Sequence, residues 1–178
     1  MDNVIAMTNA FNSEELSSLI ESLSAETLVE GKLGFDGVVN SSVRSARVYY
    51  INRIKYDWLY GKINNLCNMV NANYNREFSE LEDLQYIVYE SSGDFYAPHT
   101  DSSNTNNRVL SFSMQLSDPT DYIGGTLDIQ DEDLVKTSDS TKGSITFFNS
   151  DMLHEVTPVT SGTRKVIVGW MHGKYKNN

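Results

Sequence analysis

The chain has 178 residues, 39% of them hydrophobic and 21% charged, which is typical of a single globular domain spanning residues 1–178. Its net charge of −10 disfavours nucleic acid or an anionic membrane as partner, because neutralising phosphates requires a basic surface. The single Cys67 excludes an internal disulfide framework. The single cysteine, the lack of a recognisable secretory signal and the lack of an apolar run of about 20 residues together favour a reducing cytoplasmic location.

Two helices are predicted in the N-terminal part of the chain. Residues 12–13 can cap the first, whose apolar positions Leu16, Ile20 and Leu23 have helical spacing. The second is predicted from about residue 56 to residue 71, where apolar side chains recur on one side. Each helix therefore has one face to bury.

The C-terminal half alternates short β-prone runs with turn residues. Strands are predicted near residues 46–52, 84–90, 96–99, 107–117, 125–130, 143–148, 153–159 and 163–171. This pattern favours a mainly β sandwich, barrel or jelly roll, with the two helices covering one sheet.

The three histidines suggest a metal site. His99 and Asp101 are two residues apart in an extended segment, so their side chains share a face. His154 lies in a separate predicted strand. Two imidazoles and a carboxylate leave open positions on an octahedral ion, as in non-haem Fe(II) oxygenases. His172 is expected to be exposed near the chain end, without a role at the metal.

Arg164 follows His154 by ten residues, with a Ser161-Gly162 turn between them. The turn allows Arg164 to lie on a strand returning beside His154. Apolar residues two, four and six positions further on share its face, so the guanidinium is predicted to be buried. A buried guanidinium needs a carboxylate partner, and Arg164 is therefore a candidate bidentate clamp for a carboxylate.

These motifs resemble the 2-oxoglutarate/Fe(II)-dependent oxygenases, in the prolyl 4-hydroxylase-like branch, over nearly the whole chain. The strongest parts are H-x-D at His99 to Asp101, H-E-V-x-P-V-x-x-G-x-R at His154 to Arg164, and Trp170 six residues later. Supporting features are Tyr89, Tyr96, the Q-L-S-D-P run at 115–119 and Gly124-Gly125.

The resemblance implies a role for each matching residue. His99, Asp101 and His154 correspond to the iron ligands, and Arg164 corresponds to the partner of the distal carboxylate of 2-oxoglutarate. Tyr89 corresponds to a hydroxyl partner of the same carboxylate. Further residues expected in or beside the pocket are Tyr96, Ser111, Ser113, Gln115, Leu127 and Trp170.

The implied fold is a double-stranded β-helix, or jelly roll, with the N-terminal helices packed on one sheet. The implied reaction hydroxylates an aliphatic carbon using Fe(II), 2-oxoglutarate and O2, with ascorbate as a further candidate cofactor, and releases succinate and CO2. Asp101 favours hydroxylation over halogenation, since halogenating relatives lack this carboxylate. Collagen-type prolyl hydroxylases instead have lysine at the position of Arg164.

The substrate is left open by the sequence. A prolyl residue of a peptide or protein is the first hypothesis. Another amino-acid side chain or a free small molecule is the second, and a non-catalytic metal-binding jelly roll is the third. A clamp for a co-substrate disfavours the third hypothesis, because a pure binding module has no use for it. The oligomeric state is not indicated.

The segment from Gly31 to Ser45 is rich in glycine and small polar residues, which predicts a loop. Similar prolyl hydroxylases have a mobile loop at this place. The resemblance therefore implies a lid that folds over a peptide, with Arg44 near its base. A passive surface loop is the alternative.

Overall fold

The computed structural model describes residues 3–32 and 38–175. Its two helices are α1 (Ser13–Ser24) and α2 (Asp57–Tyr74). The Asn12 side chain accepts a hydrogen bond from the Glu15 backbone N–H, and the Glu15 side chain accepts one from the Asn12 N–H. This reciprocal capping box satisfies amides that have no partner within the helix, which explains why α1 begins where the sequence predicts.

Short strands make up most of the remaining chain. Those in the described residues are β1 (Val4–Met7), β2 (Val29–Glu30), β3 (Arg44–Ser45), β4 (Arg47–Tyr50), β5 (Arg76–Leu81), β6 (Gln85–Glu90), β7 (Phe95–His99), β8 (Arg108–Gln115), β9 (Tyr122–Gly124), β10 (Leu127–Asp131), β11 (Leu134–Thr137), β12 (Ile145–Asn149), β13 (His154–Val156) and β14 (Val159–Tyr175).

The described strands form two antiparallel sheets. The larger sheet has the order β1-β12-β8-β14-β6-β4-β2, and the long β14 also pairs with β5 and β9. The smaller sheet has the order β11-β10-β13-β7-β3. Two such sheets facing each other form the predicted jelly roll, since side chains alternate between the inside and the outside of each strand.

The larger sheet packs against both helices through one face. Phe11, Leu19, Leu59 and Ile63 from the N-terminal part meet Ile167 from β14 in a shared apolar cluster. A second, smaller cluster lies between the two sheets. The prediction that the helices cover one sheet is confirmed.

Several strand predictions differ from the structure. The strand predicted over 153–159 is divided into β13 and the start of β14, because Pro158 has no N–H to donate to a ladder. The strand predicted over 163–171 runs from Val159 to Tyr175. Six short strands were missed: β1, β2, β3, β5, β9 and β11.

The segment from Gly31 to Ser45 is described in part, since residues 33–37 lie outside the described residues. Gly31 donates its N–H to the Ala46 carbonyl, and Arg44 is buried in β3. In the part of the chain that the structure describes, no helix is both long and apolar enough to cross a membrane.

Candidate metal and co-substrate site

Two neighbouring strands of the smaller sheet bring the predicted metal ligands together. His99 ends β7 and His154 begins β13, and the two residues are paired directly across the antiparallel ladder. Asp101 follows two residues after His99. One ligand atom from each of these three residues lies within 4.8 Å of the others. His154 Nε2 is 3.4 Å from Asp101 Oδ2, and His99 Nε2 is 3.8 Å from Asp101 Oδ1.

Backbone carbonyls orient both imidazoles. His99 Nδ1 is 2.8 Å from the Ala97 oxygen, and His154 Nδ1 is 2.9 Å from the Met152 oxygen. Only a protonated Nδ1 can donate to a carbonyl, so both Nε2 atoms are left with a lone pair for a metal. Burial, together with the nearby His154, lowers the pKa of His99 to about 4. The three residues therefore fit a divalent cation.

Asp101 is held by two serines. Ser111 Oγ donates to Asp101 Oδ2 at 2.7 Å, and the Asp101 N–H donates to the Ser150 carbonyl at 2.9 Å. The two serine hydroxyls lie 2.9 Å apart, and both residues are almost fully buried. Sequence reasoning placed Ser111 in the pocket but missed Ser150, whose role depends on a loop contact between distant parts of the chain.

Aromatic rings pack against both histidines. Tyr96 stacks on His99 with ring centroids 3.6 Å apart, and Phe148 meets His154 edge-on at 4.8 Å. Tyr96 thus lies beside the site, as the resemblance implies. Rings packed in this way fix the imidazole planes that present Nε2 to the metal.

Arg164 lies on β14, directly across the ladder from Tyr89. Its side chain is only 3% exposed, and burial lowers the pKa of the guanidinium. No carboxylate of the described residues forms an ion pair with it. A Cβ added at Gly125 would lie 3.2 Å from Arg164 Cδ, so the Gly124-Gly125 turn makes room for this side chain. An unpaired buried guanidinium is suited to an anionic ligand.

A second tyrosine, which the sequence did not single out, lies beside Arg164. The Tyr122 hydroxyl opposes the effect of burial on the pKa of the guanidinium, and it accepts from Gln115 Nε2 at 3.0 Å. Tyr89, predicted as a hydroxyl partner of the same ligand carboxylate, is fully buried with its ring centroid 5.6 Å from Arg164 Cζ. The only sequence signal for Tyr122 is its place two residues before the glycine pair.

The metal ligands and Arg164 open into one cavity of about 760 Å³. Other predicted residues in its wall are Tyr89, Tyr96, Ser113, Leu127 and Trp170. Ser111 and Gln115 lie behind the wall, where they hold Asp101 and Tyr122. Apolar side chains such as Leu127, Phe148 and Val166 form part of the same wall, and electrostatic contacts are stronger beside apolar surface than in bulk water.

The model of a family described as "2OG-Fe(II) oxygenase superfamily" matches residues 84–172, half of the chain, and this segment contains the three predicted ligands and Arg164. The chain belongs to this superfamily. Membership of this superfamily implies an oxygenase that uses Fe(II) and 2-oxoglutarate with O2.

Curated relatives are called PKHD-type hydroxylases. One from Crocosphaera subtropica is 28% identical over 186 aligned residues, which cover 95% of this oxygenase and 78% of the relative. One from Prochlorococcus marinus is 40% identical over 90 residues, covering 49% of this oxygenase and 41% of the relative. Several alignments thus span less than half of the relative's length.

Solved structures share the fold. A prolyl hydroxylase from Trichoplax adhaerens, in complex with a peptide fragment of hypoxia inducible factor, has a TM-score of 0.83 at 20% identity, with 97% of this oxygenase and 84% of that chain covered. A Pseudomonas putida prolyl-4-hydroxylase has a TM-score of 0.77 at 17% identity, with 97% and 93% covered. At these identities the likeness establishes the jelly-roll fold.

His172 contradicts its prediction. β14 continues past Trp170, which places His172 in the cavity wall with its Nε2 2.8 Å from Glu82 Oε2. Arg108 binds the same carboxylate through Nε at 2.7 Å and lies over the Trp170 ring. Burial alone would raise the pKa of Glu82, but the bonds from Arg108 and His172 hold it below its ordinary value. Glu82, Arg108 and His172 therefore form a hydrogen-bonded polar part of the cavity wall.

Proposed function

We propose that this oxygenase is a dioxygenase that uses Fe(II) and 2-oxoglutarate to hydroxylate an aliphatic carbon, releasing succinate and CO2. A prolyl residue of a peptide or protein is the proposed substrate. The observation that supports this proposal is the presence of the His99, Asp101 and His154 triad and the unpaired Arg164 in one cavity.

Each part of the cavity has a proposed task. The two Nε2 atoms and the Asp101 carboxylate hold the metal, and the backbone carbonyls and Ser111 keep them in position. Arg164 binds the distal carboxylate of 2-oxoglutarate through charge-assisted hydrogen bonds. When bound, Fe(II) supplies the redox chemistry that activates O2 and oxidises the C–H bond.

The walls control what reaches the metal. Ser113, Leu127 and Trp170 line the space between the clamp and the mouth, and Tyr89 closes it from the direction of β6. Glu82 and Arg108 form a polar part of the same cavity wall. The substrate classes named for the similar solved proteins support prolyl hydroxylation as the first hypothesis to test.

The direct test starts from wild-type protein loaded anaerobically with Fe(II) and 2-oxoglutarate and then exposed to O2. Succinate is measured, and mass spectrometry searches proline-rich peptides and free amino acids for the gain of one oxygen atom. Hydroxylated peptidyl proline is the expected product. Hydroxylation of another side chain or a free amino acid would redirect the substrate assignment. Succinate formation in none of these mixtures would contradict the dioxygenase proposal.

Three properties of the whole protein stay predictions: a requirement for ascorbate, a cytoplasmic location and the action of residues 1–178 as one oxygenase domain. Repeated turnovers with and without ascorbate test the first. A requirement would appear as a rate that declines over successive turnovers only in its absence.

A further inference from the structure

A second buried arginine shares the cavity with Arg164. Arg44 is 6% exposed and belongs to the wall of the cavity. It lies on β3, directly across the ladder from Tyr96 on β7. Its Cζ is 5.0 Å from the centroid of the Tyr96 ring, and that ring stacks on His99 at 3.6 Å. Arg44 and the proposed metal ligand His99 therefore both pack against the Tyr96 ring.

The hydrogen bonds of Arg44 leave donors unused. Nη1 donates to the Lys32 carbonyl at 2.9 Å, and Nη2 makes a long contact of 3.4 Å with Gln85 Oε1. Its Nε is buried and has no acceptor within the described residues. A guanidinium has five N–H donors, so most of them have no protein acceptor here. Burial without acceptors is costly for a charged group.

No carboxylate of the described residues pairs with Arg44. The nearby buried acid, Asp94, accepts from the Ser45 hydroxyl at 2.5 Å and from the Glu90 N–H at 2.9 Å. Ser45 follows Arg44 in β3, and successive side chains in a strand point to opposite faces. Asp94 is therefore bonded on the face away from Arg44, and it is not part of the cavity wall.

The other charges of the cavity wall also leave Arg44 without a counter-charge. Arg108 is paired with Glu82, and Arg53 is paired with Asp83. Lys32 is solvent-exposed and needs no partner. A divalent metal on Asp101 carries one net positive charge, and with Arg164 it balances the two negative charges of 2-oxoglutarate. Arg44 is then the one buried cation of the described cavity wall without a counter-charge.

We propose that Arg44 binds a carboxylate of the substrate to be hydroxylated. This inference rests on the proposed function, because it assumes that 2-oxoglutarate occupies Arg164. The substrate then carries one negative charge close to the hydroxylated carbon. That charge comes from a free α-carboxylate next to the modified residue or from an acidic side chain beside it in a peptide.

The test compares matched probes that differ only in this carboxylate. Wild-type protein is loaded with 2-oxoglutarate and with Mn(II), which replaces Fe(II) so that no turnover occurs. Each probe is then titrated into this protein in a calorimeter. N-acetyl-L-proline is compared with N-acetyl-L-prolinamide, and acetyl-Glu-Pro-Gly-amide with acetyl-Gln-Pro-Gly-amide. We expect the carboxylate member of one pair to bind about tenfold more tightly or better. The pair that shows the difference identifies the source of the charge.

Variants then assign the preference to Arg44. Arg44→Gln should reduce the ratio to about twofold or less, since the charge-assisted bonds are lost. Arg44→Met keeps the apolar stem and gives a second neutral variant if the glutamine variant does not fold. Arg47→Gln is the matched control, because Arg47 is exposed and pairs with Glu90 outside the cavity. It should keep the wild-type ratio.

Two outcomes would overturn the inference: no carboxylate preference in either wild-type pair, or a preference that persists in a folded neutral variant. Failure of the proposed function is a separate result. It appears as the absence of 2-oxoglutarate binding in the Mn(II)-loaded wild-type protein before any probe is added.

Discussion

The larger sheet packs on helices through one face and lines the cavity through the other. On β14, Ile167 and Met171 point into the helix-side cluster, whereas Arg164, Val166 and Trp170 point into the cavity. The helix side is almost entirely apolar. The cavity side buries the polar side chains Gln85, Ser111 and Arg164, and the smaller sheet adds Arg44 and His154 to the same cavity.

The two faces differ in what burial does. On the helix side, removal of apolar surface from water stabilises the fold by roughly 25 cal/mol per Å². On the cavity side, burial of a charge without a counter-ion works against folding and prepares the site for ligands. The helix side is therefore expected to determine stability, and the cavity side to determine binding. Each prediction below tests that division.

The largest effect is expected at the metal. Asp101→Ala removes one of the three proposed protein ligands, so metal-dependent turnover of 2-oxoglutarate should fall to background. The apo protein should remain as stable as the wild type or become slightly more stable, because a buried charge is lost. Metal titration calorimetry and thermal unfolding measure both. Asp133→Ala, an exposed acid in the β10–β11 turn, is the control. Turnover near wild type in Asp101→Ala would contradict the ligand assignment.

The next largest effect is expected at the clamp. Arg164→Ala should weaken 2-oxoglutarate binding by about 2–5 kcal/mol, which is the usual cost of truncating one partner of a buried charge pair. Metal affinity should change little, because Arg164 is not a ligand. Lys165→Ala changes the neighbouring residue, which points to the opposite face, and should bind 2-oxoglutarate normally. Parallel loss of metal and 2-oxoglutarate affinity in Arg164→Ala would indicate unfolding rather than a clamp.

The helix side is tested by comparing how one residue from each face affects stability. Ile167→Ala, at a fully buried position on the helix side, should lower the free energy of unfolding by about 2–5 kcal/mol. Its neighbour Val168 borders the cavity and is only partly buried. Val168→Ala should lower the free energy of unfolding clearly less, because the space that it opens joins the existing cavity. Chemical denaturation of the two variants measures both losses in the free energy of unfolding. Equal losses would show that both faces support the fold alike.

The core of the site was predictable because it follows local rules. The spacing of His99 and Asp101 fixes a shared face. The turn predicted at Ser161-Gly162 was wrong, because both residues lie within β14 and pair with β9. Arg164 therefore belongs to the larger sheet, whereas His154 belongs to the smaller one. The helix cap at Asn12 is also encoded within four residues. In β8, Ser113 lies in the cavity wall, whereas Leu110 and Met114 belong to the helix-side cluster.

The features that sequence reasoning missed depend on pairing between strands that are distant in the sequence. His172 was wrongly expected in solvent because the chain was taken to end its strand at Trp170, whereas β5 pairs with the continuation and places His172 opposite Glu80. The short strands β2 and β3 have no pattern of their own and form by pairing with β4 and β7. The lid over residues 31–45 stays a prediction, since residues 33–37 lie outside the described part.

The smallest and most specific prediction concerns Tyr122, which the pairing of β9 with β14 brings to Arg164. Tyr122→Phe removes the hydroxyl that lies beside the guanidinium but keeps the ring. We expect 2-oxoglutarate binding to weaken about two- to tenfold, because one net hydrogen bond contributes about 0.5–1.5 kcal/mol. Metal affinity and thermal stability should stay close to wild type.

A truncated co-substrate isolates this effect. 2-Oxobutyrate keeps the metal-binding 2-oxo acid but lacks the distal carboxylate, so Tyr122→Phe should bind it as wild type does. Tyr175→Phe removes a tyrosine hydroxyl that bonds to Asp151 at an exposed position, and it should leave both affinities unchanged. Calorimetry on the Mn(II) proteins gives all the values. An equal loss for 2-oxobutyrate and 2-oxoglutarate would show that Tyr122 acts through the general shape of the cavity rather than through Arg164 and the distal carboxylate.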